Sequence, residues 1–337
     1  MRGLLVVNPQ ATATSPRTSD VLLSALSSQL DLKVVPTSHR NHARELGERA
    51  RADGLDIVVT FGGDGTINEV VNGLLSDPTP ATAAQLPLLA PVPGGSANVV
   101  TRALGLPRDP VEASGEILAS LAAGSTRAIS LGTADIERAD GARSRRWFVA
   151  NAGLGIDAGV IDAMEAQRAE GFAATPGRYL RTAVRHFLSG ADRSIPRLTL
   201  QRGDEVVEGV YWAIVQNTSP WTYLGSLPID ACPDASFDTG LDAFALRRMG
   251  LFTTARASRR LLSGSRAGST RRSITVWHDT SALAIAANPP TPMQADGEGL
   301  GFVSLARLRS HPAALNTVQP ITEVEGSHEP PVTNPGE

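Results

Sequence analysis

Asp56-Ile57-Val58-Val59-Thr60-Phe61-Gly62-Gly63-Asp64-Gly65-Thr66-Ile67-Asn68-Glu69-Val70-Val71-Asn72-Gly73 is the stretch that decides the fold. Its first half is apolar without alternation, the mark of a strand covered on both faces. Three glycines around one aspartate follow, and from Ile67 the spacing predicts a helix to Leu75. Glycines permit positive φ and close backbone approach, and a helix N-terminus adds N–H donors and partial positive charge, so the turn suits a phosphate. Thr66 and Glu69 have the spacing of a capping box, which is sufficient reason for both. Asp64 is different, because a carboxylate beside a polyphosphate repels it unless a cation such as Mg2+ lies between them.

Outward from that stretch, strand and helix alternate. Strands are expected at Gly3–Val7, Leu32–Val35 and Leu86–Pro91. Helices are expected at Asp20–Leu30, Asn41–Ala52, Ala97–Leu104 and Val111–Ala122. Short connections between them predict a doubly wound, parallel α/β domain over residues 1–126. Pro91-Val-Pro-Gly94-Gly95-Ser96-Ala-Asn98-Val99 is a second glycine turn opening a helix, and Asn8-Pro9 ends the first strand. Loops at the carboxyl ends of parallel strands lie together, so these segments are expected to form one nucleotide site.

From about Thr126 the pattern becomes β-rich. Strands are expected at 128–136, 146–152, 196–200, 206–216, 241–246, 274–277, 283–287 and 302–306, with one amphipathic helix at Arg178–Leu188. This predicts an all-β, sandwich-like second domain over 127–304. Near its end stands Gln294-Ala295-Asp296-Gly297-Glu298. Two carboxylates around a glycine suit a general base and a supporting partner, although the same triplet is also a common hairpin turn. From His311 onward, Pro, Glu, Thr and Asn dominate, and a disordered tail is expected, 319–337 above all.

Composition excludes several classes. The net charge of −3 argues against a general nucleic-acid binder. A single cysteine, Cys232, rules out an internal disulfide and a cysteine metal cluster, and fits a cytoplasmic setting. The one lysine, Lys33, stands in a short strand, and the ordinary P-loop pattern is absent. The apolar run at the N-terminus stops at Asn8-Pro9, too short for a signal peptide, and no segment approaches the length of a membrane span. Oligomeric state is not legible, and a homodimer is compatible with everything above.

In their order, Asn8-Pro9, Gly62-Gly63-Asp64-Gly65-Thr66 with its N-E-x-x-N-G extension, Gly94 to Asn98, Asn151 to Ala158 and Asp296-Gly297-Glu298 resemble the diacylglycerol kinase catalytic-domain family. That family includes sphingosine-type and bacterial lipid kinases. The resemblance implies an α/β nucleotide domain, a β-sandwich lipid domain, and Mg·ATP in the cleft between them. It implies that 305–318 returns to the first domain, and that diacylglycerol is phosphorylated to phosphatidic acid. Asp296 would be the general base with Glu298 in support, and Asp64 would act through the metal. The nucleotide would meet Asn8, Pro9 and Thr37, then Gly62, Gly63, Gly65, Thr66 and Glu69, then Gly94, Gly95, Ser96 and Asn98. Val99 stands where many relatives carry an aspartate, so a carboxylate of the metal network is missing and its contact would shift to Glu69 or Asp64. Asp238, in a turn like the family's D-D-G, is a candidate structural Mg2+ ligand or a turn cap. A long-chain-base kinase, an NAD kinase and a regulator that binds nucleotide without turnover are the alternatives.

A lipid substrate implies a peripheral membrane contact with an anionic surface. Eight arginines between Arg247 and Arg272, with no acidic residue among them, are one expected element. The helix carrying Arg178, Arg181 and Arg185 is another. Trp221, Tyr223 and Leu224 are candidates for a lipid groove.

Overall fold

In this computed structural model, which describes residues 1–13, 16–76, 82–155, 196–248, 259, 261 and 273–321, four parallel strands form the first layer. They are β1 (Arg2–Val7), β2 (Asp31–Pro36), β3 (Ile57–Gly62) and β4 (Leu88–Pro93), hydrogen-bonded in the order β4-β3-β1-β2. Every residue of β3 and β4 is buried, as their unbroken apolar runs require. The chain leaves β1 for β2 on one side and then for β3 on the other. That reversal is a topological switch point, and the ends of β1 and β3 flank it.

Among the described residues, α1 (Pro16–Leu26), α2 (His42–Ala52) and α3 (Asp64–Leu74) connect these strands, and α4 (Val99–Ala103) and α5 (Pro110–Ala122) follow β4. α5 starts as its sequence dictates, with Pro110 in its first turn and Asp109 accepting the amides of Val111 and Glu112. α2 and α3 cross at Gly47 and Gly73. A Cβ on Gly73 would lie 2.1 Å from the Arg44 carbonyl oxygen, and one on Gly47 would lie 2.5 Å from that of Val70. The last glycine of the N-E-x-x-N-G extension is therefore a helix-crossing residue.

The second part is strand-rich. It comprises β5 (Thr126–Arg138), β6 (Arg143–Phe148), β7 (Asn151–Leu154), β8 (Leu198–Arg202), β9 (Glu205–Val210) and β10 (Trp212–Gln216). These are followed by β11 (Thr222–Leu224), β12 (Leu227–Ile229), β13 (Leu241–Leu246), β14 (Ile274–Thr280), β15 (Ala282–Ala295) and β16 (Glu298–Val318). β11 and β12 pair only with each other, while the other strands build a main core that includes Ile136, Leu200, Val215, Trp277, Ile285 and Leu308, and a smaller one around Trp212, Ile214, Phe244 and Ile274. The packing is sandwich-like, but hydrogen bonding makes one continuous sheet of fourteen strands among the described residues.

Continuity comes from β16. It runs for 21 residues, pairs with β15 and β5, and reaches β4 at Thr317↔Leu89. Only 302–306 of it was expected as a strand, and the tail was expected from His311. His311–Val318 is instead paired against β5, where the tertiary partner overrides a polar composition. The expected strand 206–216 is two strands, broken near Gly209, whose φ is +73°. The expected helix 178–188, Ile156–Ala158, most of the 247–272 arginine run and the chain after Ile321 lie outside the described residues. No described helix is long and apolar enough to cross a membrane.

Candidate active site

The two glycine turns meet at the switch point. Gly94 N–H donates to Gly62 O (2.8 Å) and Ala13 N–H to Gly94 O (2.9 Å). A Cβ on Gly94 would stand 2.9 Å from Gly62 Cα, and one on Gly95 2.7 Å from Gly63 Cα. None of these glycines has positive φ, so close packing of one turn on the other explains them, not left-handed backbone. Gly65 differs. It is exposed in the first turn of α3, and a Cβ there would meet nothing within 4 Å. That open backbone at a helix N-terminus is where an anionic group can approach.

Asn8 joins the site directly. Its N–H donates to Phe61 O (2.9 Å) and its side-chain amide to Thr66 Oγ1 (3.2 Å). Pro9 follows it, exposed, and Ser96 is exposed at the tip of the second turn. Thr37 lies at the same edge, its N–H donating to Val7 O at 2.8 Å.

Three expected nucleotide or metal residues have structural partners instead. α3 begins at Asp64 behind Gly63, so Thr66 is inside the first turn and does not form a capping box with Glu69. Glu69 reaches across to α2, accepting the amides of Asn41 (3.1 Å) and Ala43 (3.2 Å). It caps a helix whose own N-cap residue, Asn41, offers no side-chain cap. Asn98 is left-handed, and its side chain both accepts from Gly95 N–H and donates to Gly95 O, each at 2.8 Å. Asp64 caps α4 with both oxygens, from Val99 N–H (3.0 Å) and Val100 N–H (2.9 Å). Burial pushes its carboxyl above the usual carboxylate range, against those two amides.

Asp296 sits at the junction of the two parts. Asp296 and Gly297 both have positive φ, and Ala295 pairs with Glu298, so the triplet is a tight two-residue hairpin turn as well as a site. Gln294 locks the turn by accepting Gly297 N–H at 2.8 Å. The Asp296 carboxylate accepts four N–H groups: Val149 (2.6 Å), Ala150 (2.8 Å), Asn151 (2.9 Å) and the Asn68 side chain (2.7 Å). Burial pushes its carboxyl up, and these donors oppose that.

Asn68 and Asn72, one turn apart on α3, are what sequence reasoning missed. Asn72 accepts Trp147 N–H (2.9 Å) and donates to Trp147 O (3.0 Å), while Asn68 also donates to Trp147 O (2.9 Å). Their i, i+4 spacing was the available signal, since it puts both amides on one helix face. Asn72→Ala leaves the half-buried Trp147 N–H without this acceptor and should cost about 1 kcal/mol. Urea denaturation measures it, and an unchanged midpoint would refute the clamp.

The remaining carboxylates carry cations. Glu298 pairs with Arg40 (2.9 Å) from the first domain and with Arg146 on β6. Asp238 pairs with Arg127 at 2.7 Å and makes no contact with the glycine turns, so its charge is compensated without Mg2+. No described group of three or more acidic, histidine or cysteine residues could hold a metal ion. Asp64, Asp296, Glu298 and Asp238 are thus each engaged by amides or guanidiniums, and as arranged they do not fit a protein cage for Mg2+. Tyr223 stacks on Arg102 of α4, 3.1 Å from carbon to ring centroid, and Trp221 packs on Trp212. Tyr223 packs against the core of the first domain and Trp221 against the one around Trp212 and Phe244.

A family model for the diacylglycerol kinase catalytic domain matches residues 2–134, the stretch holding both glycine turns, Asn68 and Asn72. Over residues 2–134 the chain is thus similar to the diacylglycerol kinase catalytic-domain family. Curated relatives match shorter stretches of the chain. Mouse sphingosine kinase 1 is 36% identical over 102 residues, 29% of this chain and 26% of its own length. Diacylglycerol kinase of Bacillus subtilis (strain 168) is 39% identical over 75 residues, 22% of this chain and 23% of its own. The chain thus spans about a quarter of the length of these relatives. The fold likeness is longer. A diacylglycerol kinase from Bacillus anthracis str. Sterne has TM-score 0.67 and 18% identity, covering 94% of this chain and 96% of that one. Yeast NADH kinase complexed with NADH has TM-score 0.52 and 10% identity, covering 94% and 82%. The diacylglycerol kinase fold is therefore shared along nearly the whole chain.

Proposed function

We propose that this protein is a lipid kinase that transfers the γ-phosphoryl group of ATP to a lipid hydroxyl, diacylglycerol first, giving phosphatidic acid. The observation that carries it is the bond between Asp296 of the second domain and Asn68 of α3. Asn68 stands four residues after Asp64, about one helical turn from the open backbone at Gly65. A carboxylate is thereby held within reach of a phosphate on that turn, and the family match over residues 2–134 supports the phosphoryl donor.

The polyphosphate would lie against the first turn of α3, stabilised by its amides and dipole. The acceptor oxygen forms a bond to the γ-phosphorus as the bond from that phosphorus to the β,γ-bridging oxygen breaks, and ADP leaves with the electron pair. The acceptor proton goes to Asp296 Oδ2, where the hydroxyl takes the place of the Asn68 amide. That donor is the exchangeable one, because the other three are backbone. Mg2+ would arrive on the phosphates of ATP, and no step is assigned to it on the protein.

Radiolabelled ATP offered with diacylglycerol, sphingosine and monoacylglycerol in mixed micelles, and with NAD in solution, tests the proposal. Label is expected in phosphatidic acid and dependent on Mg2+. Label in NAD alone, or ATP binding with no acceptor labelled, would overturn it.

A further inference from the structure

We infer that the outward face of β6, β5 and β16, with Phe302 as its apolar anchor, is the surface by which the protein lies on an anionic lipid bilayer. The inference rests on the lipid-kinase proposal for its purpose, and on charge and exposure for its location.

Alternation along the strands defines the face. Val303, Ala306 and Leu308 of β16 are buried inward, while Phe302, Arg307 and Arg309 are exposed. Register then extends the row, with Arg307 beside Asp135 and Asp135 beside Arg145. In the next row Leu305 lies beside Glu137 and Glu137 beside Arg143. Four arginines thus share the face with two carboxylates, and those two are already neutralised. Arg145 pairs with Asp135 at 2.6 Å and Arg143 with Glu137 at 3.0 Å. Arg307 and Arg309 make no ion pair among the described residues and give the face its positive excess.

Phe302 is 58% exposed, more than any other large apolar residue of the described chain that stands in solvent, and the others are aliphatic. Its cross-strand partner is Pro292, also apolar. An aromatic ring at the level of lipid headgroups, backed by unpaired arginines, is the composition of a membrane-interface anchor. Position links this face to the chemistry. Phe302 follows Glu298 by four residues, about 13 Å along the strand from the turn that holds Asp296. Docking there brings the hairpin tip to the bilayer, where a diacylglycerol hydroxyl resides.

Sedimentation with vesicles of phosphatidylcholine, alone or mixed with phosphatidylglycerol, tests it. Wild-type protein is expected to bind the mixed vesicles and to lose binding in high salt. The double substitution Arg307→Gln, Arg309→Gln should weaken binding about thirtyfold, at about fivefold for each arginine near an anionic surface. Phe302→Ser should also weaken it, with thermal unfolding unchanged in both variants. Transfer to a short-chain, water-soluble diacylglycerol should be as in wild type, and transfer to vesicle-borne diacylglycerol should fall. Variants that bind vesicles like wild type, or wild-type binding indifferent to phosphatidylglycerol, would overturn the surface. Arginine-dependent vesicle binding by a wild-type protein that phosphorylates no lipid would uphold the surface and refute the kinase proposal.

Discussion

Asp296→Asn is expected to abolish lipid phosphorylation and to weaken the junction between the two domains. Four N–H groups converge on the native carboxylate, three of them backbone. An amide offers one acceptor oxygen and turns its NH2 toward other donors. At least two buried N–H groups lose their partner, at a cost of about 1–3 kcal/mol each. Loss of the base lowers kcat by a further factor of about 100 to 10,000. Activity assayed well below the melting transition separates the two effects, and essentially intact transfer would remove Asp296 from the chemistry. The pH profile gives a second check. A base must be ionised, and burial raises this carboxyl, so the acid limb of kcat/KM should lie above the ordinary value of about 3.9. Asn68→Ala removes a donor that holds the carboxylate ionised, so it should move that limb to higher pH still.

Gly95→Ala and Gly65→Ala should fail in opposite ways. At Gly95 a methyl group would stand 2.7 Å from Gly63 Cα and 3.0 Å from Asn98 Oδ1. Both neighbours are fixed, Gly63 behind α3 and Asn98 by its two bonds to Gly95 itself. Overpacking should cost about 1–3 kcal/mol and separate the two turns, lowering Tm and ATP affinity together. At Gly65 the methyl group meets open space, and alanine is the better helix former by up to about 1 kcal/mol. Gly65→Ala should therefore keep or raise Tm while ATP affinity falls. Calorimetric binding beside thermal unfolding reads both, and wild-type ATP affinity in Gly65→Ala would move the phosphate away from α3.

Strand β3, the turn and the helix after it were legible because local sequence makes them: an unbroken apolar run, glycines, and a helical spacing of apolar residues. Asn8 and both glycine turns could be placed at one edge because parallel topology gathers the carboxyl ends of strands. The partners of polar side chains were not legible. Glu69 and Thr66 have the right spacing for a capping box, yet the helix starts at Asp64, three residues before Ile67, and Glu69 caps α2 instead. The composition of His311–Val318 argued for disorder, but hydrogen bonds to β5 hold it as strand. A polar segment becomes ordered when a partner edge satisfies its backbone, and that partner lies far away in sequence.

The sequence by itself determined that this chain has a parallel α/β half with paired glycine turns and a strand-rich half ending in Asp-Gly-Glu. Those features are periodicities and backbone permissions, and they act over a few residues. Only the tertiary structure decided what N-E-x-x-N-G is for: Asn68 and Asn72 clamp the second domain, Glu69 caps α2 and Gly73 lets two helices cross. It also decided that Asp64 caps α4 and that Glu298 sits between Arg40 and Arg146. A carboxylate or an amide bonds whatever donor the fold brings within about 3 Å, and sequence spacing does not fix that neighbour.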